Sequence, residues 1–293
     1  IDVSALAECV SSKGINPELA VLGRLISEES TQSLAIGSAV NNIFDELMFD
    51  PDADYNQLFR DSMARAPIPL VALGKEAALQ VHGIIRDEHL PRLRAMARFA
   101  HQRDMMLEPS FISPKYGLQG RLDLLYKDKG RYYIVELKSG NAPQTGIWPQ
   151  HLYQVVGYNL LIKECYGAAN LGTSSILYSK LPDDKLRGVT NLISQEQELL
   201  MCRNRVIGIW KLLSENPATF FDWLKSHEGN QLAGFVKERL HRVQSILNAL
   251  DPLEYEWYLE QVRLAVRETW YVKIGSGTHR SESGYGYNAL WQQ

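Results

Sequence analysis

Cysteine is scarce in this chain: three in 293 residues, Cys9, Cys165 and Cys202, with no two of them spaced Cys-x-x-Cys. That spacing excludes a disulfide framework and a four-cysteine zinc or iron-sulfur site, and it favours a reducing compartment. Surplus positive charge is lacking too. Thirty-one Lys and Arg stand against 34 Asp and Glu, for a formal charge of −3, so any polyanion must be bound through local clusters and not a general basic field. No apolar run approaches the roughly 18 residues a membrane helix needs, and no charged segment leads into an apolar one at the N-terminus. No membrane association is expected. A Gly-Lys-Ser/Thr phosphate loop is missing, so no nucleotide-driven motor is expected within these residues. What the chain has in quantity is apolar side chains, 45% of the total, ample for a packed core. It begins at Ile1, which reads as a piece of a longer polypeptide.

The first hundred residues are expected to be helical. Asn16-Pro17 opens a stripe of Leu19, Leu22, Leu25 and Ile26 that runs as far as Glu29. A second helix is predicted over 33–48, stopped by Asp50-Pro51, and a third, capped by Asp54, over 55–65. A long helical stretch over 70–102 is broken at Pro91. Strand character begins near Met105, where MMLEPSFIS reads as one strand ending at Pro114. After a Gly- and Pro-rich loop, a helix is predicted from Pro149 to about Cys165, then a strand over 173–179, then helices over 194–214, 217–225, 230–249 and 251–272. The fold class is therefore α/β (α+β): a mixed central sheet flanked by helices. Residues 1–104 form a helical N-terminal part, 105–180 the core, 181–274 a helical C-terminal part and 275–293 a Gly/Ser-rich tail or linker.

Chemistry concentrates in Gly120 to Lys138, GRLDLLYKDKGRYYIVELK, read as two strands joined by the turn KDKG. Alternation along a strand puts Glu136 and Lys138 on one face. Pairing Tyr126 with Arg131 across the turn sets Asp123 opposite Ile134 and diagonal to Glu136. Two carboxylates and an ammonium then converge, between apolar neighbours that argue for burial, which is what a hydrolytic metal site requires. Asp123 and Glu136 are the candidate ligands of Mg²⁺ or Mn²⁺, which need few protein carboxylates. Lys138 either positions the attacking water or, if burial lowers its pKa, acts as a base. Gln154 and Tyr158, four apart, share a helix face that can reach the same site. His151 reads as packing or loop-facing, and Glu76 as an exposed helix residue. Lys115, Tyr116 and Arg121 are candidate DNA contacts through stacking and phosphate pairing, with Arg121 alternatively paired to Glu136.

The ordered set Gly120-x-x-Asp123, Glu136-x-Lys138 and Gln154-x-x-x-Tyr158 resembles the PD-(D/E)XK nucleases of the RecB type. The lead-in SPKYGLQGRLD over 113–123 is more similar still to the nuclease domain of helicase-nucleases that trim flaps and resect DNA ends. The resemblance implies a restriction-endonuclease-like core and the backbone carbonyl of Leu137 as a further metal ligand. It also implies Asp123, Glu136, Lys138, Gln154 and Tyr158 as catalytic residues, a substrate of single-stranded or flap DNA, and a helicase in the same polypeptide or complex. Intracellular localisation is expected, cytoplasmic and nucleoid-associated if the source is a bacterium. Two alternatives stay open: a catalytically silent DNA-binding or structural module that keeps the nuclease fold, and a CRISPR-adaptation or restriction-type nuclease. The family carries Gly-x-x-Val-His on an upstream helix, whose His joins the metal. Here Gly37-Ser-Ala-Val40-Asn41 is in frame, with Asn41 in place of the His. Flap-processing members hold an iron-sulfur cluster on four cysteines; with three cysteines in all, none is expected here.

Overall fold

The computed structural model describes residues 1–25, 31–182, 186–230, 232 and 234–274. The Gly/Ser-rich stretch 275–293 and the end of the first predicted helical stripe, 26–29, lie outside them. In chain order the elements are α1 (Val3–Ala7), β1 (Val10–Ser11), β2 (Gly14–Ile15), α2 (Leu19–Leu25), α3 (Gln32–Phe49), α4 (Tyr55–Arg65), α5 (Pro67–Leu73) and α6 (Lys75–Ile84). A wide π turn (Ile85–His89) leads into α7 (Leu90–His101), followed by β3 (Asp104–Leu107), β4 (Ser110–Ser113), β5 (Leu118–Arg121), β6 (Leu124–Asp128), β7 (Arg131–Lys138) and α8 (Pro149–Tyr166). The rest is β8 (Ser174–Tyr178), β9 (Arg187–Val189), α9 (Ile193–Glu215), α10 (Pro217–Ser226), α11 (Gly234–Ala249) and α12 (Pro252–Ile274). Two compact units form, Ile1–Ala7 with Glu28–Leu199, and Glu8–Ser27 with Leu200–Gln293.

The first unit is built on a five-stranded sheet in the order β3-β6-β7-β8-β9. Only β7 and β8 run parallel, joined through α8, and the other pairs are antiparallel. Alternation along β7 assigns its faces. Val135 and Leu137 join Leu124, Leu177 and the apolar sides of α3 and α7, including Val40, Ile43, Leu93 and Ala97. On the other face Ile176 and Tyr178 of β8 meet Val155 of α8. Strand β8 is buried along its whole length, as a central strand covered on both faces should be. This is the mixed sheet flanked by helices that the sequence predicts. The second unit packs Leu22 of α2 with Leu213, Phe221, Leu224, Leu240, Val243 and Val266 of α9 to α12.

Several local expectations are corrected. The turn between β6 and β7 is two residues long, Lys129 at φ 46 and Gly130 at φ 80, so Asp128 pairs with Arg131 and Tyr126 with Tyr133. Asp123 therefore falls opposite Glu136 instead of diagonal to it, and the shift of two residues leaves every side chain on its expected face. Neither MMLEPSFIS nor GRLDLLYK is one strand. Glu108 takes a left-handed φ of 47 and Pro109 supplies no N–H. Opposite them, Asp123 and Leu122 leave the ladder, with Glu108 N–H donating to Asp123 O at 3.1 Å and Leu122 N–H to Pro109 O at 3.1 Å. Beyond that double break β4 and β5 pair as a separate ribbon.

The helical stretch expected over 70–102 breaks at Gly74, φ 83, and widens into the π turn just before Pro91. Pro91 lacks an N–H and crowds the carbonyl four residues back, which a wider turn relieves. Strand β9 and the short elements α1, β1 and β2 were too brief to give a periodic signal.

Candidate active site

Asp123 at the strand break, Glu136 and Lys138 on the α8-facing side of β7, and Gln154 and Tyr158 on α8 line one cavity of about 320 Å³ with Leu137 and Asn41. Within it Glu136 is only 3% exposed, and Lys138 Nζ donates to its Oε1 at 2.8 Å. The second oxygen, Oε2, is buried without a hydrogen-bond partner. Leu137 N–H donates to Asp123 Oδ2 at 2.6 Å. Burial, and then the neighbouring charge of Glu136, holds the Asp123 carboxyl well above the usual carboxylate range. For Lys138 burial pulls the other way, but the charges of Glu136 and Asp123 and the bond to Glu136 together outweigh it and raise its pKa. It is an ammonium at neutral pH.

On α8, Gln154 Nε2 donates to the Tyr158 hydroxyl at 2.9 Å and to Ser4 Oγ at 3.3 Å, with Ser4 Oγ 3.4 Å from that hydroxyl. Burial, and then Glu136, pushes the Tyr158 phenol up, so it stays neutral. The ring lies over Gly120 of β5, where an added Cβ would sit 2.7 Å from Tyr158 Cε1. Behind Lys138, Ser179 N–H donates to the Lys138 carbonyl at 3.0 Å, and Ser179 Oγ lies 2.8 Å from Nδ1 of His89 in the π turn.

Arg121 lines the cavity, but its partner is Glu108, at 3.3 Å, and not Glu136. The difference follows from the strand break, which carries Arg121 off the sheet that holds Glu136. Lys115 and Tyr116 fall in the β4–β5 turn, outside the cavity lining, with Lys115 Nζ 5.1 Å from the Tyr116 ring. His151 is engaged elsewhere: its Nδ1 lies 2.9 Å from the Tyr178 hydroxyl, and burial pushes it down to about 4. Glu76 is exposed on α6. Asp2, Ser4 and Glu108 also line the cavity, and none of the three was singled out from sequence.

Among the described residues no group of three or more His, Cys, Asp or Glu side chains is placed to hold a metal ion. Asp123, Glu136, Leu137 and Asn41, the residues from which the sequence reading draws metal donors, all line the same cavity. That set suits a hard cation which keeps several of its waters, and not tetrahedral zinc. The orphaned Oε2 of Glu136 fits the same reading, because a buried carboxylate oxygen without a partner is unfavourable until a cation or donor meets it.

Paired buried acids and a charged lysine thus meet on one cavity, where a mixed sheet meets a helix. The family model of the PD-(D/E)XK nuclease superfamily matches residues 18–244, and the chain belongs to that superfamily, whose members hydrolyse nucleic acid and generally depend on a divalent metal. A solved structure of a candidate exonuclease from Eubacterium rectale is similar at 15% identity and a TM-score of 0.47, over 70% of this chain and 79% of that one. No curated protein matches the chain.

Proposed function

We propose that this chain is a Mg²⁺- or Mn²⁺-dependent deoxyribonuclease that cuts single-stranded ends or flaps and works beside a helicase. One observation carries the reading: Asp123 and Glu136 converge on a polar cavity, with one Glu136 oxygen held by Lys138 and the other free for a cation. A divalent ion held by Asp123 and Glu136 would supply Lewis acidity, which activates water and offsets charge on the phosphate. The chain's own residues do the rest. Glu136 fixes the Lys138 ammonium, which points its remaining protons at the attacking oxygen and the developing negative charge. Gln154, Tyr158 and Ser4 form a neutral hydrogen-bonding wall that orients the phosphodiester. Asn41 contributes an amide oxygen from α3, in the position of the family's histidine. The intracellular setting and the helicase partner rest on the resemblance of 113–123. The single-strand preference also draws on Lys115 and Tyr116, a cation and an aromatic ring together on an outer turn.

The test uses 5′-labelled single-stranded, flap and duplex DNA with Mg²⁺, Mn²⁺ or EDTA, beside Asp123→Ala and Lys138→Ala. Metal-dependent cleavage of strand and flap, lost in both variants, is the expected result. Absence of cleavage on every substrate would establish the silent-module reading, and cleavage of duplex alone at a defined sequence the restriction-type one.

A further inference from the structure

Glu108 stands out at the rim of the cavity. It is one of two non-glycine residues with a positive φ among the described residues. The other, Lys129, sits in a hairpin turn that needs that conformation, whereas Glu108 sits between two strands beside the catalytic acids. Its backbone is fastened there, its N–H donating to the carbonyl of Asp123 itself at 3.1 Å. Glycine would take the same turn without strain, so what glutamate adds is its side chain. That side chain reaches Arg121 at 3.3 Å, and the two are 40% and 64% exposed. A pair so open to water adds little to stability, so stability explains neither the strained residue nor its carboxylate.

Arg121 is the exposed cation of the cavity, since Lys138 is committed to Glu136. Its planar fork suits a phosphate, but a free arginine at the end of a short ribbon would sample many rotamers. We propose that Arg121 docks a phosphate of the nucleic-acid strand and that Glu108, locked beside Asp123, is its positioning residue. This deepens the nuclease reading and rests on it for the identity of the ligand. A carboxylate next to a docking cation repels phosphate, so Glu108 opposes simple affinity. It contributes by aligning the strand, and the contribution is spent in kcat.

The experiment is a double-mutant cycle of Glu108→Gln and Arg121→Ala, read in two ways. Equilibrium binding of a fluorescent single-stranded oligonucleotide is measured in EDTA over a range of salt, and steady-state cleavage is measured with Mn²⁺. Arg121→Ala should weaken binding and lower the slope of log K against log salt by about 0.7, the loss of one phosphate contact on a single strand. Glu108→Gln should bind as tightly as wild type or more tightly while kcat falls at least tenfold, and both effects should vanish in the Arg121→Ala background. Glu108→Gly should leave the melting temperature unchanged or higher while kcat falls, which a merely structural glutamate would not do.

Additive effects in the cycle, or an unchanged kcat in Glu108→Gln, would overturn the assignment even if the wild type cuts DNA. A wild type that cuts nothing but shows the coupled binding cycle would sink the nuclease reading and leave the Glu108–Arg121 pairing standing. A wild type that neither binds nor cuts would overturn both.

Discussion

Gly120 lies directly beneath the ring of Tyr158, so close that a Cβ there would sit 2.7 Å from Cε1, 3.2 Å from Cδ1 and 3.3 Å from Leu161 Cδ1. This gives the Gly-x-x-Asp spacing a physical reason. Only glycine lets β5 pass near enough to α8 for the tyrosine hydroxyl to meet Gln154 and Ser4 while the next residues turn Asp123 toward Glu136. The ring is buried, 1% exposed, so it has little room to move away. Gly120→Ala should therefore destabilise the fold by about 1–3 kcal/mol, as overpacking does, and should cut activity at least as much as Tyr158→Phe. Urea denaturation and cleavage rates check both. A variant as stable and active as wild type would show that the ring is not held where it is described.

The paired acids should trade stability for metal binding. With no cation present, Asp123 and Glu136 sit together inside the protein, and burial, then the charge of Glu136, holds the Asp123 carboxyl far up. Asp123→Asn should be at least as stable as the metal-free wild type, since it removes a buried acid set against Glu136, whereas Glu136→Gln should be less stable, since it leaves the buried Lys138 ammonium without its carboxylate partner. Wild type should gain stability from Mg²⁺ or Mn²⁺, about 2.7 kcal/mol at a hundredfold excess over Kd, and the two variants should gain almost none. Thermal melts with and without metal decide it, and equal metal-induced shifts in all three proteins would move the site elsewhere.

Much of this site was legible because it is local in sequence. Glu136 and Lys138 share a face by the two-residue period of a strand, and Gln154 and Tyr158 by the four-residue spacing of a helix. The register was misread because KDKG looks like a four-residue turn, and nothing in the letters shows that Lys129 adopts the left-handed conformation. The two-strand reading of MMLEPSFIS was hidden likewise, since it depends on Glu108 doing the same. Ser4 reaches Gln154 across 150 residues and His89 reaches Ser179 across 90, distances over which no periodicity speaks. A charged residue before Pro109 in an otherwise apolar strand was the one available signal for Glu108.

Asn41 offers a test by restoration. It lies on α3, lining the cavity with Asp123 and Glu136, at the place where the resembling nucleases carry a histidine. An imidazole nitrogen is a stronger electron-pair donor than an amide oxygen, and Mn²⁺, a transition-metal ion, takes a nitrogen ligand more readily than Mg²⁺ does. Asn41→His should lower the Mn²⁺ concentration needed for half-maximal cleavage, and Asn41→Ala should raise it, with a smaller loss of activity than Asp123→Ala. If neither change alters the metal dependence, Asn41 belongs to the surface of α3 and not to the metal.

The bond between His89 and Ser179 makes a prediction about acid. His89 is 1% exposed, and burial pushes its pKa from 6.5 down to about 4. The folded protein therefore keeps it neutral where the unfolded chain would protonate it. The stability due to the neutral ring is complete above pH 6.5 and is lost as pH falls toward 4, at about 1.4 kcal/mol per pH unit. Asp45, raised to about 6 by burial and then by Glu108, and Asp123, raised likewise, act with the opposite sign, because they take up protons in the folded state first. Those terms are common to wild type and a His89→Asn variant and drop out of the difference between them. Between pH 6.5 and 5.0 wild type should lose roughly 2 kcal/mol more than His89→Asn in urea denaturation. Since Ser179 also donates its N–H to the Lys138 carbonyl, the variant should lose activity at pH 7.5, where the titration contributes nothing. Parallel stability profiles would place His89 in a solvated setting, and unchanged activity would separate the π turn from Lys138.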